Sequence, residues 1–162
     1  MWIAGAVVLA FIVNNTIIVN AKVISGSMEA TIMTGDRVLG NRLSYLFSDP
    51  QRLDVIVHLW PDDPEEKPFV KRIIGMPGET VLIVGGLVYI NESLIPLDEA
   101  YLPETMVGSY GPFVVPDGAF FVLGDNRNNS KDSRDWQNSF VPRDYILGRV
   151  IFRIFPSVGV IN

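Results

Sequence analysis

The chain has 162 residues, a net charge of -5 and no cysteine. That length holds one domain with a single sizeable core, and the acidic balance argues against nucleic acid, which needs a basic footprint, and against a hold on anionic lipid by charge alone. Without cysteine there is no disulfide, no thiolate catalysis and no cysteine zinc site, and a single histidine, His58, cannot build the usual metal cluster.

Met1 to Ala21 carries no charged residue. Its solidly apolar part, Trp2 to Val13, is shorter than the about 20 residues that span a bilayer. Three readings fit: a cleavable leader ending at Val19-Asn20-Ala21 without the usual basic start, a buried first element, or the outer part of a membrane anchor. Ser25-Gly26-Ser27-Met28 follows. Taken alone, Ser-Gly-Ser is a turn.

Thr34-Gly35-Asp36 reads as a turn and Arg37 to Gly40 as a strand. Leu53 to Leu59 is a β-rich run ending at Trp60-Pro61, and Asp62 to Lys67 is a solvated acidic loop. Phe69 to Ile74 reads as a strand before the turn signal Pro77-Gly78. Thr80 to Val84 and Leu87 to Ile90, joined by Gly85-Gly86, form a two-residue hairpin. Glu99 to Pro116, rich in proline and glycine, reads as an irregular surface loop. Ala119 to Leu123 is a short buried strand that delivers Gly124, and Gly148 to Phe155 is the last apolar strand. With eleven prolines and fourteen glycines, the fold class is mainly β: coiled antiparallel, barrel-like sheet with few short helices.

Three segments carry chemistry. If Ser25-Gly26-Ser27 is extended, both hydroxyls fall on one side of the chain, and Gly26 lets a substrate carbonyl approach closely. This suits Ser27 as a nucleophile, with its own N–H and the Ser25 hydroxyl as oxyanion donors. On the second segment Lys71 shares a strand face with Phe69 and Ile73. Free lysine has a pKa of about 10.4, which burial lowers by up to about 3 to 5 units, so a desolvated Lys71 can serve as the base for a serine. The plain alternative is a surface lysine with its stem on apolar ground. The third segment, Gly124 to Arg134, is too polar for a strand. Its two carboxylates, Asp125 and Asp132, are too few for a calcium loop.

In this order the three segments, with Lys71-Arg72 ahead of Gly75-Met76-Pro77-Gly78, resemble the bacterial type I signal peptidases, peptidase family S26, over nearly the whole chain. The resemblance implies a Ser27/Lys71 dyad, with Ser27 the serine directly before Met28 and Ser25 in the oxyanion hole. It also implies a hydrogen bond from Ser130 to the Lys71 amine, and an Asp132–Arg134 ion pair joined by Arg72. Substrate would add as an extended strand beside Ile24 and Phe69-Val70, with shallow pockets formed by Val23, Ile24, Met28, Ile32, Phe69 and Val70. The implied enzyme is a membrane-bound serine endopeptidase, without metal or cofactor, that removes signal peptides from exported preproteins at small-x-small sites. It would contact membrane lipid and present its catalytic domain on the extracytoplasmic side. Residues 1–20 would then be a partial, single-pass anchor leading into the first strand, and 21–162 the β-rich catalytic domain. Ile24 and Ala30 stand where the family commonly has proline, a change that bears on the rigidity of the serine segment. Two other classes are a self-cleaving Ser-Lys repressor-type peptidase, which would carry a DNA-binding module ahead of the serine, and a non-catalytic binding module on the same fold.

Overall fold

The computed structural model describes residues 17–161. Most of the expected anchor, residues 1–16, lies outside them. Eleven strands follow in chain order: β1 (Ile18–Lys22), β2 (Arg37–Asn41), β3 (Val55–Leu59), β4 (Pro68–Gly75), β5 (Thr80–Val84), β6 (Leu87–Ile90), β7 (Tyr110–Val114), β8 (Ala119–Leu123), β9 (Val141–Pro142), β10 (Ile146–Phe155) and β11 (Gly159–Val160). One sheet runs β1-β2-β10-β3-β4-β8-β9 with β11 beside β10, and a smaller sheet runs β6-β5-β7. All the pairings are antiparallel, as the mainly β reading expects. Among the described residues no helix is long and apolar enough to cross a membrane.

The central strands explain their own composition. Val55, Ile56 and Val57 in β3 are all buried, as is every residue of β8, because both faces of the sheet are covered. Ile56, Ile73, Phe120 and Val122 pack with Trp136 on one face. Val55 and Val57 join Met28 and Ile32 on the other, and farther along Ile74, Phe121 and Leu123 pack against the small sheet through Val81 and Ile83. A strand buried on both sides reads as a continuous apolar run, whereas β5, with one face in water, alternates.

Three local expectations are revised. Ile18 to Asn20 belong to β1, paired with β2, so the segment 1–20 enters the sheet before it ends. The stretch 99–116 is not a loose surface loop: it contains β7, paired with β5, and buries Met106 and Val115. Gly111 and Pro112 hide this strand in the sequence, yet both are tolerated because β7 lies at a sheet edge. Finally, the serine segment is extended only at Ser25 (φ -127°, ψ 152°), and Gly26–Met28 then forms a 3-10 turn.

Candidate active site

The chain leaves β1 with Val23 still tied to β2's lead-in: Val23 N–H donates to the Asp36 carbonyl at 2.9 Å and Gly35 N–H to the Val23 carbonyl at 2.8 Å. Met28, 1 % exposed, anchors the following turn in the core. Ser27, one residue before that anchor, is fixed at the cleft wall and 8 % exposed. Although the segment is a turn, the two hydroxyls still meet, Ser25 Oγ lying 3.4 Å from Ser27 Oγ. Ala30 has φ +86°, a conformation that a proline ring fixed near -65° cannot adopt. The replacement of the usual proline thus goes with a backbone of its own.

Lys71 lies on β4 opposite Ile56 of β3 and is 2 % exposed. Its Nζ donates to Ser27 Oγ at 2.5 Å. Burial pulls the Lys71 pKa down to about 8; Asp132 and then Asp125 oppose the fall, and Arg134 adds to it. Desolvation wins because both carboxylates already have guanidinium partners of their own.

Both carboxylates come from the loop after β8, one paired within that loop and the other with β4. Arg134 Nε donates to Asp132 Oδ1 at 2.8 Å and its Nη2 to Oδ2 at 2.9 Å, and Gly124 N–H donates to the same carboxylate at 3.0 Å. Arg72 points to the side of β4 opposite Lys71. It forks onto Asp125 at 2.9 and 2.7 Å and also donates to the Leu53 carbonyl. Asp125 accepts in addition from Thr31 Oγ1 at 2.5 Å, so one carboxylate joins β4 to the serine segment. A third pair sets Arg127 on Glu99 at 3.0 and 2.6 Å, with Tyr101 accepting from Arg127 and lying under the Arg72 guanidinium, 4.2 Å away. Every one of these six charged groups is at most 9 % exposed.

Ser130 is half-buried, its Oγ shielded from solvent, and it lines the same cleft as Ser27 and Lys71. Its Oγ makes no hydrogen bond among the described residues, so the expected bond to the Lys71 amine is not formed here. Gly124 gives it room: a β-carbon there would fall 2.2 Å from Ser130 Oγ and 2.3 Å from the Ser27 carbonyl.

Sequence reasoning assigned no role to Asp125, Asn126, Glu99 or Tyr101. Asp125 had a signal, since a charged Arg72 on the face opposite Lys71 demands a buried counterion. Glu99 had none, because its partner lies on a distant segment.

His58 is wholly buried. Its Nδ1 donates to the Leu59 carbonyl at 2.7 Å, and it stacks loosely with Phe69 and Trp136. Burial, reinforced by the nearby Lys71 charge, lowers its pKa to about 4. No carboxylate hydrogen-bonds to it among the described residues, and Nε2 has no partner there. It is a packing residue in the chemistry of the sheet, not a member of a triad.

Two hollows flank Ser27. One, of about 470 Å³, is lined by Ser25, Ser27, Lys71, Asn128, Ser130 and Lys131 among others. The other, of about 180 Å³, lies between β1's end and β4's start and is lined by Val23, Ile24, Met28, Phe69 and Val70 with Ala21 and Pro68. Ile32, expected beside them, is fully buried in the core instead. It backs Met28 and takes no part in the hollow's wall. Among the described residues no group of three or more histidine, aspartate or glutamate side chains could hold a metal.

The family model "Signal peptidase, peptidase S26" matches residues 1–155. The chain is 42% identical over 164 residues to the probable signal peptidase I-2 of Synechocystis sp., covering 97% of this chain and 73% of that one. It is 43% identical over 148 residues to the signal peptidase I of Leptolyngbya laminosa, covering 87% and 71%. Among solved structures, a signal peptidase I from Enterococcus faecalis matches with a TM-score of 0.54 and 33% identity, over 63% of this chain and 97% of that chain.

Proposed function

The chain belongs to the signal peptidase family, peptidase S26, and from that premise we propose that it is a membrane-bound serine endopeptidase in which Ser27 is the nucleophile and Lys71 the general base. The relatives are hydrolases named signal peptidase I, enzymes that cleave signal peptides. The observation that carries the dyad is the 2.5 Å contact between Lys71 Nζ and Ser27 Oγ in a site that holds the lysine near pKa 8. At pH 7 about 9 % of such lysines are neutral, against about 0.03 % at the ordinary value of 10.5. That roughly 300-fold enrichment in base supplies the activation a serine needs.

Neutral Lys71 takes the Ser27 proton as Oγ bonds to the scissile carbonyl carbon. The carbonyl oxygen becomes an anion facing the Ser27 N–H and the Ser25 hydroxyl, which sits 3.4 Å from Ser27 Oγ. As the carbonyl reforms, the peptide C–N bond breaks and the ammonium of Lys71 protonates the leaving amine. Water, deprotonated by the same lysine, then bonds to the acyl carbon; the carbon–Oγ bond breaks and the lysine ammonium returns its proton to Ser27 Oγ. The signal peptide lies as an extended strand between Ile24 and Phe69-Val70, with its small residues in the 180 Å³ hollow. Cleavage after small-x-small is the specificity that the family resemblance implies. The apolar stretch Trp2 to Val13 serves in a membrane anchor ahead of β1, and the β-rich catalytic domain lies on the extracytoplasmic face, so exported preproteins and lipid are its partners.

The test uses a peptide carrying an Ala-x-Ala site. Ser27→Ala abolishes cleavage while the protein stays folded, and a bulky residue in place of either alanine blocks cleavage by the wild type. Cleavage by Ser27→Ala at the wild-type rate contradicts the reading.

A further inference from the structure

We infer that Asn126 is a positioning residue that aims the Ser27 N–H at the oxyanion by holding the peptide group in front of it. Asn126 meets the nucleophile turn twice. Its backbone N–H donates to the Ser27 carbonyl at 3.0 Å, and its side-chain Nδ2 donates to the Gly26 carbonyl at 2.9 Å. The two peptide groups on either side of the Ser27 Cα are therefore gripped by one residue. Its neighbour Asp125 braces the same turn through a contact of its N–H with Met28 Sδ, 3.4 Å away.

The grip on Gly26 matters through the planarity of the amide. In a trans peptide the C=O and the following N–H point in opposite directions. With the Gly26 oxygen held toward the 124–130 loop, the Ser27 N–H faces away from that loop, and it donates to no group among the described residues. Gly26 makes this orientation conditional. Glycine has both halves of φ space open, so the Gly26–Ser27 peptide can turn over when nothing holds its oxygen. The Glu29 N–H also reaches that oxygen at 3.1 Å, but it belongs to the turn itself and moves with it. Asn126 is the hold from outside.

The inference rests on Ser27 as the nucleophile. Asn126 hydrogen-bonds neither the serine hydroxyl nor the lysine, so it acts through the backbone of the turn. Its loss should appear in kcat and leave KM and the lysine titration in place.

The experiment compares Asn126→Ala and the isosteric Asn126→Asp with wild type and Ser27→Ala, in the full chain, on an Ala-x-Ala peptide. Asn126→Asp keeps the volume and the backbone bond but replaces the side-chain donor with a charged acceptor that repels the Gly26 oxygen, whereas Asn126→Ala removes the donor without adding charge. Both substitutions should lower kcat by about 10- to 100-fold, short of the loss of a whole oxyanion donor, with KM within about twofold of wild type. In Asn126→Ala the acidic limb of the pH profile stays where it is. A peptide aldehyde, which forms a tetrahedral adduct on serine, should lose affinity in parallel with kcat. Tryptophan fluorescence melts show which variants are folded at the assay temperature. If Asn126→Ala fails to fold, Asn126→Asp alone decides. Wild-type kcat in the folded variants, a change confined to KM, or aldehyde affinity unchanged while kcat falls would overturn the inference. If Ser27→Ala itself cleaves normally, the failure lies in the dyad reading. If Ser27→Ala is inactive and the Asn126 variants are normal, only the role of Asn126 fails.

Discussion

A buried lysine held near pKa 8 should weaken the fold that holds it, and replacing it should make the protein more stable. Lys71 titrates at about 8 in the folded chain against 10.5 when free. Between those values the unfolded chain binds more protons than the folded one, so stability rises with pH across that window. Below pH 8 the full penalty applies, about 3 kcal/mol at about 1.4 kcal/mol for each pH unit between the two values. Methionine matches the lysine stem in volume and carries no charge. Lys71→Met removes the penalty but also a hydrogen bond to Ser27, which is worth about 1 kcal/mol. The net gain at pH 7 is about 2 kcal/mol, or about 4 to 8 °C in Tm for a chain of this size. At pH 10 the penalty has largely gone and the variant should melt at or slightly below wild type. Thermal melts of both proteins at pH 7 and pH 10 read this directly. A variant that melts below wild type by the same amount at both pH values would refute a strained, desolvated lysine.

Other perturbations test the surrounding parts. Ser25→Ala should keep measurable activity, reduced by about 10²- to 10³-fold in kcat as for one oxyanion donor. Asp132→Asn removes the carboxylate that most opposes the fall in the Lys71 pKa, so the acidic limb of the activity profile should move to lower pH even as the melting point drops. Glu99→Gln leaves the Arg127 guanidinium without its carboxylate. That should destabilise by about 3 kcal/mol, with the acidic limb unmoved because Glu99 does not act on Lys71. At Ala30, where φ is +86°, Ala30→Pro should lower Tm because the proline ring cannot take that angle, while Ala30→Gly should not. Equal melting of the two would contradict the backbone described for this turn.

Much of the fold is readable from composition because its central strands are buried on both faces. Val55-Ile56-Val57 and Ala119 to Leu123 are apolar without alternation for that reason, and the Gly85-Gly86 hairpin carries its own turn chemistry (φ +56° and +84°). β7 is not readable, since Gly111-Pro112 signals a break and only the pairing with β5 makes it a strand. The serine segment shows the limit of periodicity. Alternation places Ser25 and Ser27 on one side of a strand, and a 3-10 turn brings them together by a different route. The environment of Lys71 was half visible. Phe69 and Ile73 share its face, but the balance that sets its pKa includes Asp132, Asp125 and Arg134 from the loop after β8. Which arginine meets which carboxylate depends on that loop's path, so Arg72 with Asp125 and Arg127 with Glu99 needed coordinates.

The central claim is that Lys71, and not the buried His58, supplies the base, and the pH dependence of kcat/KM on an Ala-x-Ala peptide tests it most directly, since it reports the titration of the free enzyme. Activity should rise from acid pH with an apparent pKa of about 8, the value at which burial holds Lys71, with the same limb in His58→Ala and no activity in Lys71→Arg, whose guanidinium cannot shed its proton in this range. A limb near about 4, where burial holds His58, that disappears in His58→Ala, or cleavage surviving in Lys71→Arg, would contradict the claim.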